Sequence, residues 1–154
     1  MSTHFIKLYD IKHIPTNMEV EELKAKIEEV LSLNPKLNYE GIALPQLYHP
    51  TGVKKLERPS QRQERLQALR EKLLSPEGVH EVKVVIKWLQ TSKRARRTKL
   101  MNTRYSSFGL KTYVETDTGS YISNGSFIVG AMLCGCRAEQ VKTSENAILN
   151  LRIR

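Results

Sequence analysis

Four of the chain's six prolines, Pro35, Pro45, Pro50 and Pro59, fall between residues 34 and 59, with Gly41 and Gly52 among them. Proline fixes φ and removes a backbone donor, so no long helix or central strand runs through this segment. It reads as a long loop or arm, anchored by Ile42, Leu44, Leu47 and Tyr48. Loops of that length are often functional. The segment separates an N-terminal helix from a C-terminal module over residues 60–154. The total of 154 residues fits one domain.

Before the loop, residues 5–11 are apolar-rich and suit a short strand. Residues 17–33 carry Val20, Leu23, Ile27, Val30 and Leu31 at helical spacing. Thr16 and Glu19 match a capping box. After the loop, a second helix is expected over residues 61–74. Ser60 and Gln63 form its capping box, and Leu66, Leu69 and Leu73 line one stripe. Residues 79–90 admit two readings. Val82, Val84, Val85 and Ile86 are β-branched and suit a strand. Val79, Val82, Ile86 and Leu89 keep helical spacing, and Ser75-Pro76 makes a good helix start. The start signal and the spacing together favour the helix.

Residues 106–136 are equally divided. As helices, Ser106 or Ser107 caps a segment with Phe108, Leu110 and Val114. Gly119 turns the chain, and Ser123 caps a second segment ending at Gly135. That order suits a helix-turn-helix-like pair. As strands, Asn124-Gly125 between apolar runs is a strong hairpin signal, giving β-hairpins between Leu110 and Leu133. Residues 147–154 alternate Leu149, Leu151 and Ile153 with Asn150, Arg152 and Arg154, which predicts a short closing strand. The expected class is α+β, predominantly helical.

Charge is the main functional signal. From residue 82 to 114 there are nine cations and no Asp or Glu, and the rest of the chain balances, so this stretch equals the formal net charge of +9. A block of one sign asks for an anionic partner, and nucleic acid is the commonest, because neutralised phosphates release counterions. Lys93, Arg94, Arg96, Arg97 and Lys99 form the tightest cluster, read as a basic loop that extends to Arg104. Arg forks would grip phosphate oxygens in pairs, while Lys would act as a point charge. Ser107, Lys111, Ser123 and Asn124 would add secondary contacts. In a helix-turn-helix, Ser123, Asn124 and Ser126 would stand at the start of the second helix, where Asn can pair with adenine. Against that role, residues 127–134 are wholly apolar or Gly, and a buried core helix beside a basic loop remains open. Aromatics flank the block without platform spacing, so duplex DNA is favoured over single strands and over RNA.

The stretch Ser106-Ser107-Phe108-Gly109-Leu110-Lys111, Glu115, residues 121–128, Gly135 and Asn146-Ala147-Ile148-Leu149-Asn150 resembles a pattern in small phage, plasmid and other mobile-element proteins. The resemblance spans residues 88–150. It implies a genetic context and helices after the Asn-Gly pair. It carries over no activity and no catalytic residue.

Other chemistry finds little support. Cys134 and Cys136 have the wrong spacing for a zinc pair, and His4, His13, His49 and His80 are scattered. The cysteines read as buried thiols in a reducing, cytoplasmic setting. Asp10, Glu115 and Asp117 are the carboxylates that a nuclease would have to converge on magnesium, and no pattern brings them together. No enzyme, metal or cofactor is implied. No apolar run reaches membrane-spanning length, and residues 1–10 lack a signal peptide's apolar core. The same basic surface would also suit an acidic protein partner, and a duplex reader is compatible with a homodimer.

Overall fold

The computed structural model describes residues 19–154. The expected strand at residues 5–11 and the Thr16 cap lie outside them. Five helices and four short strands follow in order: α1 (Val20–Leu33), α2 (Pro59–Leu73), α3 (Pro76–Thr91), β1 (Ala95–Arg97), α4 (Ser107–Thr118), α5 (Asn124–Leu133), β2 (Ala138–Gln140), β3 (Ala147–Leu149) and β4 (Leu151–Ile153). The protein is α+β and predominantly helical.

Helix α5 is the centre. Every residue in it is buried, and it packs most extensively on α3, with α4 and α1 on its other sides. The hairpin alternative is overturned, because Asn124-Gly125 opens this helix. Ser123 is its cap, accepting from the Ser126 backbone N–H at 3.0 Å. Two glycines make the position possible. A Cβ on Gly130 would come within 2.5 Å of Val85 Cγ1 on α3, and one on Gly125 would collide with the Asn38 carbonyl. Gly130 weakens the helix as a helix and lets it dock. The helical reading of α3 holds: Ser75 accepts from Gly78 N–H, and Val79, Val82, Val85, Ile86 and Leu89 are buried.

Two starts differ from expectation. Helix α2 begins at Pro59, and the Gln61 side chain accepts from the Arg58 N–H, in place of a box between Ser60 and Gln63. Helix α1 begins at Val20, with Glu19 as its N-cap in place of a start at residue 17, and it buries Leu23, Ile27, Val30 and Leu31 and leaves Val20 exposed.

The Pro-rich segment is a long connection with no named element between Leu33 and Pro59. Leu37, Tyr39, Ile42 and Leu44 are buried and tie it to the core, whereas Tyr48 is exposed. Arg70 of α2 fixes its start by donating to the carbonyls of Leu31, Asn34, Pro35 and Leu37 at 2.8–3.0 Å. Those donors satisfy acceptors that the end of α1 leaves open.

The single closing strand expected over residues 147–154 is divided between two partners. β3 pairs antiparallel with β2, and β4 pairs antiparallel with β1. Asn150 makes the transfer. Its Oδ1 accepts from Arg137 N–H at 2.6 Å, and its Nδ2 donates to the Thr98 carbonyl at 2.9 Å.

Candidate nucleic-acid interface

The core of the cationic cluster is strand β1, where the sequence suggested a loop. Its register against β4 places Ala95 opposite Ile153, Arg96 opposite Arg152 and Arg97 opposite Leu151. Side chains alternate across a strand. Ile153 and Leu151 are buried, so Arg96 and Arg152 share the outward face, and both are exposed. The Arg154 N–H donates to the Arg94 carbonyl at 3.1 Å and continues the ladder by one step. Directly opposed like charges destabilise a strand pair. Beyond their main-chain ladder, the side chains of Arg96 and Arg152 form no hydrogen bond or ion pair among the described residues.

The remaining cations sort by what they already touch. Lys93 and Lys99 are exposed at either end of β1. Arg94 is engaged: its guanidinium lies 3.1 Å from Asp117 Oδ2, donates to the main-chain oxygen of Arg154 at 2.6 Å and sits over the Tyr113 ring. Asp117 also accepts from Trp88 Nε1 at 3.0 Å. Arg97 is half-buried and reaches the Gly135 carbonyl. Arg104 is exposed and lies over the Tyr105 ring at 5.5 Å.

The secondary contacts are corrected. Ser107 is fully buried, and its Oγ accepts from the Ala147 N–H of β3 at 3.0 Å. Lys111 is buried, bonded to Glu115 Oε1 at 2.9 Å, with its ammonium near the Phe108 and Tyr121 rings. Ser123 serves α5 as a cap, and its backbone N–H donates to the buried Glu81 carboxylate at 2.8 Å. Asn124 is buried and donates towards the carbonyls of Glu40 and Glu145 and Asn146 Oδ1. Helix α5 therefore exposes no face to a DNA groove. The expected helix pair is present as α4 and α5 joined through Gly119, but α5 has no recognition face because it is wholly apolar or Gly after Ser126 and becomes the core.

The fold also builds a cleft that the sequence does not announce. It encloses about 700 Å³ between the loop over residues 98–105, Tyr113 of α4 and the end of β4. Lys99, Arg104, Arg152 and Arg154 line it together with Tyr105 and Tyr113, and no Asp or Glu does. Asn102 holds the loop in shape. Its Oδ1 accepts from the N–H groups of Arg104 and Tyr105, and its Nδ2 donates to the Leu151 carbonyl at 3.1 Å. Arg137 adds a bond of 2.6 Å to the Lys99 carbonyl. Sequence reasoning missed the site roles of Asn102, Arg152 and Arg154. The available signal was the polar side of the closing strand, where both alternate positions after Asn150 are Arg.

Several titratable groups elsewhere are internal. Cys134 and Cys136 are free, buried thiols. Burial pushes Cys136 up to about 12 and Cys134 higher still, against the opposing pull of the Arg97 guanidinium. Burial and the Glu81 carboxylate, which accepts from its hydroxyl at 2.6 Å, raise Tyr39 as well. Glu115 and Asp117 are bound to Lys111 and Arg94 respectively, and Asp10 lies outside the described residues. Among the described residues no three His, Cys, Asp or Glu side chains are grouped to hold a metal. No helix among them is long and apolar enough to cross a membrane. Comparison with known proteins finds no matching family model, no similar curated protein and no similar solved structure.

Proposed function

We propose that this protein binds nucleic acid through the β1–β4 ribbon, by sequence-independent contact with backbone phosphates. The observation that carries the reading is the opposed pair Arg96 and Arg152, left exposed without an anionic neighbour among the described residues. Two facing guanidinium groups cost the folded ribbon stability, and a phosphate placed between them reverses the sign of that interaction. Lys93 and Lys99 extend the same positive edge. Duplex DNA is the first form to test and A-form RNA the second, since phosphate contact alone does not separate them. The mobile-element setting implied by the resemblance of residues 88–150 agrees with such a partner and supplies no independent argument.

The test is a titration of labelled duplex at several salt concentrations with the double variant Arg96→Gln, Arg152→Gln. We expect weaker binding and a salt slope shallower by about 0.9 per lost phosphate contact. A folded double variant that keeps full affinity and slope removes the proposal. Arg94 and Arg97 are unsuitable for this test, because replacing them disturbs Asp117 and the Gly135 turn as well.

A further inference from the structure

The cleft beside the ribbon has a chemistry that phosphate contact alone does not use. We infer that it takes an unpaired nucleotide of a nucleic acid whose backbone lies along β1 and β4; this rests on the reading just given. Three observations lead there. First, the cleft has the size of a small-ligand pocket, about 300–1,000 Å³ in general and 700 Å³ here. A volume of that size suits a single base with its sugar. Second, its lining joins cations with aromatic rings. Tyr105 and Tyr113 are eight positions apart in sequence and share this wall, with Lys99, Arg104, Arg152 and Arg154 around them. A base stacks on a ring while its phosphates meet the cations, and this combination is the general solution for single-stranded segments. Arg104 already lies over Tyr105, and Arg94 lies over Tyr113, so each ring is backed by a guanidinium.

Third, the cleft continues into the ribbon. Arg152 lines the cleft and stands directly opposite Arg96 on β1. The positive track therefore runs past the space of one phosphate, which suits a polymer better than a free mononucleotide. Leu100, 82% exposed, also belongs to the cleft wall and offers apolar surface that a base can cover and a phosphate cannot. The wall is set in advance: Asn102 and Arg137 hold the loop through bonds to β4 and to Lys99. Little ordering remains to be done on binding.

The experiment compares three labelled DNA probes with equal numbers of phosphates at one salt concentration. They are a blunt duplex, a duplex with a short thymidine overhang, and the same overhang built from abasic sites. The expected result is that the thymidine overhang binds about tenfold tighter than the other two, within the range that stacking of one base provides. Tyr105→Leu should abolish that margin, while Tyr105→Phe should keep it. Equal affinity for the thymidine and abasic overhangs, with the blunt duplex still bound, overturns the inference and leaves the ribbon reading standing. Failure of all three probes to bind overturns the ribbon reading itself. The abasic comparison uses the unaltered protein, so it decides even if the Tyr105→Leu variant does not fold.

Discussion

The start of helix α5 and the β1–β4 ribbon carry equally polar sequence, and the fold uses them in opposite ways. At α5, Ser123 and Ser126 lie buried and meet Glu81 and one another, and the buried Asn124 donates its Nδ2 to the carbonyls of Glu40 and Glu145, while its Oδ1 meets no partner among the described residues. At the ribbon, Arg96 and Arg152 face each other, and their guanidinium groups have no hydrogen-bond or ion-pair partner among the described residues. A buried polar group without partners costs about 1–3 kcal/mol, so most internal polar groups are satisfied internally. Surface charge has no such obligation. What separates a structural polar cluster from a recognition surface is therefore whether its hydrogen-bonding and charge requirements are already met.

The largest expected effect strikes the α5 side. Gly125 donates its N–H to the Tyr39 carbonyl at 2.9 Å, and any Cβ there meets the backbone of Asn38 and Tyr39. Gly125→Val should destabilise the protein by about 3 kcal/mol or more, because neither neighbour is a side chain that can swing away. Urea unfolding measures it. A loss under about 1 kcal/mol would mean that the loop over residues 38–41 does not hold α5 as described.

Asn124→Ala comes next. It removes donors to Glu40, Glu145 and Asn146, of which the Glu145 carbonyl keeps the Ile42 N–H, at a cost of about 1–3 kcal/mol. Its effect on preference among DNA sequences should be nil, because the side chain is buried away from the ribbon. Altered sequence preference in a folded Asn124→Ala protein would put α5 back in contact with bases and erase the contrast between the two regions.

The legible part of the molecule follows from local chemistry. Ser75-Pro76 is a cap that acts within one turn, so the start of α3 could be placed from its own residues, and Ser123 offered α5 the same kind of start. Asn124-Gly125 was ambiguous because hairpin turns and capped helices use the same residue types. The choice is made by Val85 and Asn38, which approach the two glycines from distant parts of the chain. The ribbon was illegible for a related reason. Ala95–Arg97 has three residues and no apolar alternation to mark a strand, and its partner lies at the far end of the sequence. In the site, charge alone pointed to Lys93, Arg96, Lys99 and Arg104. The convergence of Tyr105, Tyr113, Arg152 and Arg154 is a tertiary fact, brought about by the crossing at Asn150 and the loop pinned by Asn102. Lys111 misled because charge in a sequence does not reveal an i,i+4 carboxylate that will bury it, here Glu115.

The smallest effect on stability is the most discriminating, because its sign is unusual. Arg152→Glu sets a carboxylate directly opposite Arg96 on an exposed antiparallel pair. Cross-strand pairs of opposite charge contribute roughly 0.2–1 kcal/mol and like pairs oppose folding, so this variant should be slightly more stable than the parent. The same change removes one phosphate ligand and adds a repelling charge, so affinity for duplex should fall and its salt dependence should flatten. A residue kept for the fold alone cannot give that combination, since damaging it lowers stability and binding together. If Arg152→Glu melts earlier than the parent, the guanidinium of Arg152 has a structural partner in solution, and the ribbon becomes a second internally satisfied region like the start of α5. If it melts later and binds duplex as before, the facing arginines are a surface accident, and the anion they await is not nucleic acid.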